Sequence, residues 1–353
     1  EPSKVGTQTY LFLDDVARQS PNGEVPPAWP EGSVRGQRFD FGMDPEVVED
    51  PRYAEQMEEA LRALPAISIV MDHEDLTDAQ DGIYVNADQD GRLWERPGSL
   101  ELINPDGSPG FQVQAGFRIR GGFSRTGSNP KHSFRAFFRE EYGDRVLRFP
   151  LFQDEGADEF KKLDFRTAQN YAWSLDSFND ARRNTFLREV FARDSQRALG
   201  QAYTRSRYYH LYVNGQYWGV FQTQERSEAS YAASYFGGEP DDYDVIKSAG
   251  NAAGYTIEAT DGDMNAWADL WNQALAFRDN PTAEDYLRMQ GLNVDGTHNP
   301  AYPVLLDVDN LIDYLMITFY TGNRDAPLSG FAGFRPNNWY GVRNRETGDL
   351  GFQ

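Results

Sequence analysis

The chain has 353 residues, with 34 Lys and Arg against 55 Asp and Glu, a formal net charge of −21 and no cysteine. The missing thiols exclude a disulfide framework, a thiolate zinc site and a cysteine nucleophile, and four scattered His argue against any zinc site. The acidic balance argues against a nucleic-acid backbone or an anionic membrane as the main partner, because both reward clustered Lys and Arg. Hydrophobic residues at 39 % and aromatics at 14 % suffice for one or two sizeable cores, and no run of about 18 apolar residues suggests a membrane span.

Residues 1–50 carry little periodicity and several turn formers (PNGEVPPAWPEGS), the pattern of an irregular leader draped over another part. The first residues lack a signal pattern and an initiator Met, and GDLGFQ ends abruptly, so a trimmed piece of a larger multidomain polypeptide is expected. Asp50 is placed to cap a helix starting at Pro51, with Ala54, Met57, Leu61 and Leu64 on one face and Pro65 as its stop. Strand grammar then runs to about Phe149: AISIVM, GIYVN, SLELINPDG, FQVQAGFRIRGG and HSFRAFFR are separated by Asn, Asp, Gly and Pro. KKLDFRTAQ is a further strand. From Phe178 to Leu199 the period turns helical, with Phe186, Leu187, Val190 and Phe191 on one face and Gly200 as the stop.

Residues 208–213 and 216–221 flank Asn214-Gly215, a pair suited to positive φ at both centres of a type I′ turn, which predicts a hairpin. TQERSEASYAASYFG opens a helical stretch. MNAWADLWNQALAF places Met264, Trp267, Trp271, Ala274 and Leu275 on one helix face. Asp307 is a good cap for a helix whose Val308, Leu311, Ile312, Leu315, Met316 and Phe319 form an apolar stripe. The predicted order is a leader with a short helix (1–64), a β-rich part with the inserted helix and hairpin (65–223), and a mainly helical part (224–353).

Two segments carry residues suited to chemistry. RIRGGFSRTGSNPKHSFR (118–135) sets Gly121, Gly122, Gly127 and hydroxyls such as Ser124 among Arg118, Arg120, Arg125, Lys131 and Arg135. Flexible glycine backbone and neighbouring cations suit a phosphate cradle, although no Walker pattern is present and a basic hairpin loop gives the same composition. TGNRDAPLSGFAGFRPNNWYGVR (321–343) places Asp325 on the exit from the strongest helix, followed by Asn337 and Asn338. A loop carboxylate there can accept a hydroxyl proton and an Asn carbonyl can hold Mg²⁺; alternatively Asp325 pairs with Arg324 or Arg335 and the asparagines form a turn. DHEDLTDAQDG (72–82) lacks the glycine placement of a calcium loop and reads as a solvated acidic loop. His132 and His210 read as satisfied structural side chains, and the aromatics of YYHLYVNGQYWGVF suit either a core or sugar stacking.

Taken together, RIRGGFSR, NPKHSFRAFF, RRNTFLREVFARD, YYHLYVNGQYWGVFQTQER and DNLIDYLMITFYTGNRD resemble, in order over about residues 115–343, the spore-coat protein H (CotH) kinase family. The resemblance implies an α+β, atypical protein-kinase-like two-lobed fold, with a β-rich N-lobe, a mainly helical C-lobe, and ATP and Mg²⁺ between them. It implies Asp325 as catalytic base or orienter, and Asn338, or alternatively Asn337, as metal ligand. Lys131 and Arg135 become phosphate contacts within a basic strand-loop-strand that includes Arg120 and Ser124. Glu189 becomes the ion-pair partner of that cation, and Gln224 and Glu225 fall where a hinge meets adenine. The implied partners are a nucleotide and a protein acceptor hydroxyl, in an exported or cell-surface bacterial protein; the alternative is an inactive surface scaffold that keeps the fold. Two departures stand out. APLSGFAGFRP intervenes between Asp325 and Asn338, and the sequence stops at Gln353 before a W-D-x-D-like metal-binding segment, so phosphotransfer by this stretch is expected to be impaired.

Overall fold

Strand alternation governs the first of two units, Glu1–Leu187 with Arg205–Glu225. The computed structural model describes residues 6–168, 185–251, 254–346 and 350–353. Strands β1 (Ala66–Val70), β2 (Arg96–Ile103), β3 (Gln112–Arg120) and β4 (Ser133–Phe137) pair antiparallel in succession, and a small ribbon of β5 (Leu147–Arg148) and β6 (Glu159–Phe160) follows. β7 (Lys162–Arg166) pairs with β4, and the hairpin of β8 (Ser206–Val213) and β9 (Gln216–Gln224) completes the set. β9 pairs with β7, while β8 runs parallel to β1 in the register Ala66↔His210 to Ile69↔Val213, closing a seven-stranded barrel. Asn214 at φ 48° and Gly215 at φ 81° form the expected hairpin turn.

Alternate residues of these strands fill the barrel, among them Ile67, Ile69, Phe117, Phe134, Leu163 and Phe165. The hairpin aromatics Tyr209, Trp218 and Phe221 join the same core, which settles their use as packing rather than sugar stacking. The leader is part of this core as well: Trp29 stacks on Trp218 at 4.9 Å, and Phe39 and Phe41 pack beside it. On the outer side of β1 and β8, α1 (Leu13–Ala17) and α3 (Met57–Arg62) pack Val16 and Leu61 against Ala66 and Tyr212. α2 (Pro45–Val48) is capped by Asp44, and α4 (His73–Thr77), in the acidic loop, by Asp72.

Two local expectations change here. GIYVN is a run of turns, in which Gly82 N–H donates to Asp78 O and Tyr84 N–H to Leu76 O, yet Ile83, Tyr84 and Val85 are buried. Asp50 does not cap a helix at Pro51. Its carboxylate accepts from Arg52 N at 2.8 Å and Arg52 Nη2 at 2.6 Å, and the helix starts only at Ala54.

The second unit, Arg188–Thr204 with Arg226–Gln353, holds α5 (Arg188–Ala198) and α6 (Ala229–Phe236). It continues with β10 (Tyr243–Asn251), β11 (Gly254–Asp261), α7 (Asn265–Asp279), α8 (Ala283–Arg288) and α9 (Val308–Tyr320). A short ribbon of β12 (Leu328–Ser329) and β13 (Arg335–Pro336) precedes β14 (Tyr340–Asn344). The three-stranded sheet β11-β10-β14 is its framework, with Ile246, Leu270, Leu305 and Phe352 in one core cluster. The expected helix 178–199 is seen from Arg188; residues 178–184 lie outside the described residues.

The two-lobed kinase-like fold with a mainly helical C-lobe is therefore overturned. The first unit is a closed mixed barrel, and the second takes its framework from a sheet. The reason is physical: closure depends on pairing residues 66–69 with 210–213, a long-range match that local periodicity does not encode. α9 departs in another way. Asp307 caps it as expected, accepting from Asn310 N at 2.9 Å, but Ile312, Met316 and Phe319 are exposed and Asn310 and Thr318 are buried. Its polar flank is held instead: Gln201 accepts from Asn310 Nδ2 at 2.9 Å and donates to Asp313 Oδ2 at 2.5 Å.

One hydroxyl ties the barrel core together. Tyr84 O–H donates to Pro130 O at 2.8 Å and accepts from His132 N and Trp218 Nε1, each at 2.9 Å. Tyr84→Phe strands these buried groups, so urea unfolding should show a loss of about 3 kcal/mol; a wild-type midpoint would contradict this bonding.

Candidate functional site

The filled barrel sends its charged residues outward. On β3, β4 and β7 the positions alternating with the core are Arg118, Arg120, Arg135, Asp164 and Arg166, and the register sets Arg118 opposite Arg135 and Arg135 opposite Asp164. Asp164 Oδ1 accepts from Arg135 Nε at 2.5 Å, and its Oδ2 accepts from Arg135 Nη2 at 2.9 Å and pairs with Arg120 Nε at 2.6 Å. Beside this group Arg118 and Arg139 converge on the buried Glu95 at 2.7 and 2.9 Å, with the Phe137 ring 4.3 and 4.9 Å from their guanidinium carbons. Gln224, opposite Asp164 on β9, accepts from Arg166 Nη1 at 3.1 Å. Buried Glu225 accepts from Arg205 N at 2.9 Å and pairs with the Arg205 guanidinium at 3.4 Å.

The glycine-rich loop packs against the leader. Gly127 O accepts from Arg38 N at 2.8 Å, and a Cβ at Gly127 would lie 2.7 Å from Gly36 O, which is why the position has no side chain. Ser124 is buried, its carbonyl accepting from Asn129 Nδ2 at 2.8 Å and lying 3.1 Å from His132 Nδ1. Lys131 Nζ donates to Asp40 O and sits 4.1 Å from the centre of the Trp218 ring. The two candidate phosphate cations thus have different settings: Lys131 lies against the leader and a core aromatic, and Arg135 lies on the outward face. His210, like His132, is satisfied, 3.1 Å from both Ala60 O and Tyr217 Oη.

In the second unit Asp325 follows α9 after a turn at Gly322, and its N–H donates to Asn323 Oδ1 at 2.9 Å. The segment that separates it from the asparagines folds as the β12–β13 hairpin, with Leu328↔Pro336 and Ser329↔Arg335, and so returns the chain to Asp325. Asp325 Oδ1 accepts from Ser329 Oγ at 2.5 Å and Asn337 Nδ2 at 3.1 Å, and Oδ2 accepts from Asn338 Nδ2 at 2.8 Å. Its partners are a hydroxyl and two amides rather than Arg324 or Arg335. Asn338 takes φ 54°, a conformation that Asn tolerates better than most residues. Glu189, in the first turn of α5, pairs with Arg193 at 2.6 Å.

Asp325 and the amide oxygens of Asn337 and Asn338 are hard donors of the kind Mg²⁺ accepts, with water and phosphate completing its shell. Among the described residues no group of three or more His, Cys, Asp and Glu is placed to hold a metal. Asp164, Glu95 and Ser329 were not singled out by sequence. A single acid between Lys162 and Arg166 on alternating positions of one strand is the signal that marks Asp164, and nothing local marks Ser329.

Asp164, Ser329, Asp325, Asn337 and Asn338 lie within one matched stretch, which Glu95 precedes. The family model described as CotH kinase protein covers residues 117–350, two thirds of the chain, and the chain belongs to that family. The match starts within β3, so β1 and β2, two strands of the barrel, and the leader, whose Trp29 and Phe41 lie in its core, precede it. No curated protein matches the chain.

Burial lowers the Lys131 ammonium from 10.5 to about 8. Between those values the unfolded chain binds more protons than the folded one, so stability contributed by this group rises with pH from about 8 to 10.5. Urea midpoints of wild type and Lys131→Met across that window should diverge in favour of wild type as pH rises; a constant difference would show an amine that is not buried.

Proposed function

We propose that the chain is a phosphotransferase domain that moves the terminal phosphate of ATP to a hydroxyl of a protein acceptor. The observation that carries this reading is the convergence of Asp325 with Asn337 and Asn338 within a stretch belonging to the CotH kinase family. The acceptor oxygen forms a bond to the γ-phosphorus as the bond to the β–γ bridging oxygen breaks, and ADP leaves with that electron pair. Asp325 orients the acceptor hydroxyl and takes its proton, while Ser329 and the two asparagines hold its carboxylate in one orientation. Asn338 would help to hold Mg²⁺, which would supply positive charge to offset the charge developing on the transferred group.

In the full-length protein, label transfer from γ-labelled ATP should fall about a hundredfold or more in Asp325→Ala. Incorporation equal to wild type would remove Asp325 from this role.

A second reading, a scaffold that keeps the fold without catalysis, is favoured by one observation: Arg120, Arg135, Lys131, Glu189, Gln224 and Glu225 all hold partners within the protein. Mg·ATP at a hundred times its Kd should stabilise a nucleotide-binding domain by about 2.7 kcal/mol. A thermal melt that does not move favours the scaffold.

A further inference from the structure

We infer that Asp164 is a positioning residue that fixes the spacing and facing of Arg120 and Arg135 and, through them, the grip on a triphosphate; the inference rests on the phosphotransfer reading above. Its place in the sheet makes this role available. Asp164 is central on β7, directly opposite Arg135 on β4 and Gln224 on β9, at an outward position between the core residues Leu163 and Phe165. The carboxylate is 3 % exposed, whereas the Arg120 and Arg135 side chains are 21 % and 17 % exposed. The anion therefore lies beneath and the two cations extend past it.

The geometry is specific. Arg135 meets the carboxylate through two N–H groups, at 2.5 and 2.9 Å, and a bidentate contact fixes the plane of a guanidinium as well as its position. Arg120 reaches Oδ2 with Nε at 2.6 Å, so one oxygen is shared by two arginines from two strands. A guanidinium carries five N–H donors, so the contact of Arg120 through Nε orients it without exhausting it. Two guanidiniums brought this close repel each other, and the intervening carboxylate removes that repulsion. The neighbouring carboxylate Glu95 gathers Arg118 and Arg139 in the same manner, and Arg118 lies opposite Arg135, so the arginine order on this face is set by two buried anions.

A residue that acts through the arginines should change recognition of phosphate and leave recognition of the nucleoside alone. The test measures binding of ATP and of adenosine to the full-length protein, for wild type, Asp164→Asn and Arg120→Gln, by calorimetry. The expected result is a loss of about tenfold in ATP affinity in each variant with adenosine affinity unchanged. It also predicts that Asp164→Asn costs less in the Arg120→Gln background than in wild type, because only Arg135 is then left for it to orient. Equal losses for both ligands would make Asp164 merely structural, and tighter ATP binding would make it a competitor of the phosphates; either overturns the inference while wild-type ATP binding leaves the phosphotransfer reading standing. Wild type that binds ATP no better than adenosine overturns both. Should Asp164→Asn fail to fold, Asp164→Glu, which keeps the charge one methylene further out, carries the test: ATP affinity falls and adenosine affinity holds if position matters, and unchanged ATP affinity overturns the inference.

Discussion

The pairing of β1 with β8 is the constraint from which the rest of the first unit follows. A sheet closed on itself has no free edge and a fixed inside, and here the inside is filled by one apolar cluster. Closure also asks for material at the interior that the strands alone do not supply. Trp29, Phe39 and Phe41 of the leader provide it, packing on Trp218 and Tyr84, so an apparently structureless segment is a component of the core. With no room inside for charge, the charged residues of β3, β4 and β7 share the outward face. Their mutual repulsion is met by Asp164 and Glu95, each buried and each shared among arginines. A protein of net charge −21 thereby keeps a local cluster of cations, and at physiological salt distant carboxylates about a Debye length of 8 Å or more away act on it only weakly.

The same logic of return and closure, on a smaller scale, builds the candidate acid–base site. Asp325 and Asn338 are 13 residues apart, and the β12–β13 hairpin between them brings the amide to the carboxylate. Ser329 sits on that hairpin and bonds the same carboxylate, so the segment that looked like an interruption supplies one of its holders. Nothing in the chemistry of this loop needs a protein-kinase-like lobe around it, and the sheet of β10, β11 and β14 gives the second unit its own framework.

Much of this was legible residue by residue. Asn214-Gly215 announced the β8–β9 turn because few other pairs accept positive φ twice, and the strand runs placed β1, β3 and β4 within a residue or two, whereas β2 starts three residues earlier than read and β7 ends three residues sooner. What periodicity does not carry is the partner of a strand, so the meeting of residues 66–69 with 210–213, and with it the barrel, was not readable. GIYVN misled because buried apolar residues look alike in a strand and in a run of turns. The stripe on α9 misled in the opposite sense: helical spacing showed that one face is apolar, whereas the bonds of Gln201 to Asn310 and Asp313 hold the polar flank. The residue types at the candidate site were visible as Gly, Arg, Asp and Asn in two segments. Their partners were not, because Asp164, Asp40 and Ser329 gain meaning only from register and from the path of the leader and hairpin.

The central claim is that the loop carrying Asp325, with the carboxylate held by Ser329, Asn337 and Asn338, meets a nucleotide. Amide hydrogen exchange of the full-length protein, with and without Mg·ATP, tests it most directly, because it reads local protection along the whole backbone. The account predicts added protection in residues 321–338 and little change in α1, α2 and α3; the inference on Asp164, a claim about the first unit by itself, predicts added protection in β3, β4 and β7. Protection absent from residues 321–338, or confined to the leader helices, would contradict the central claim.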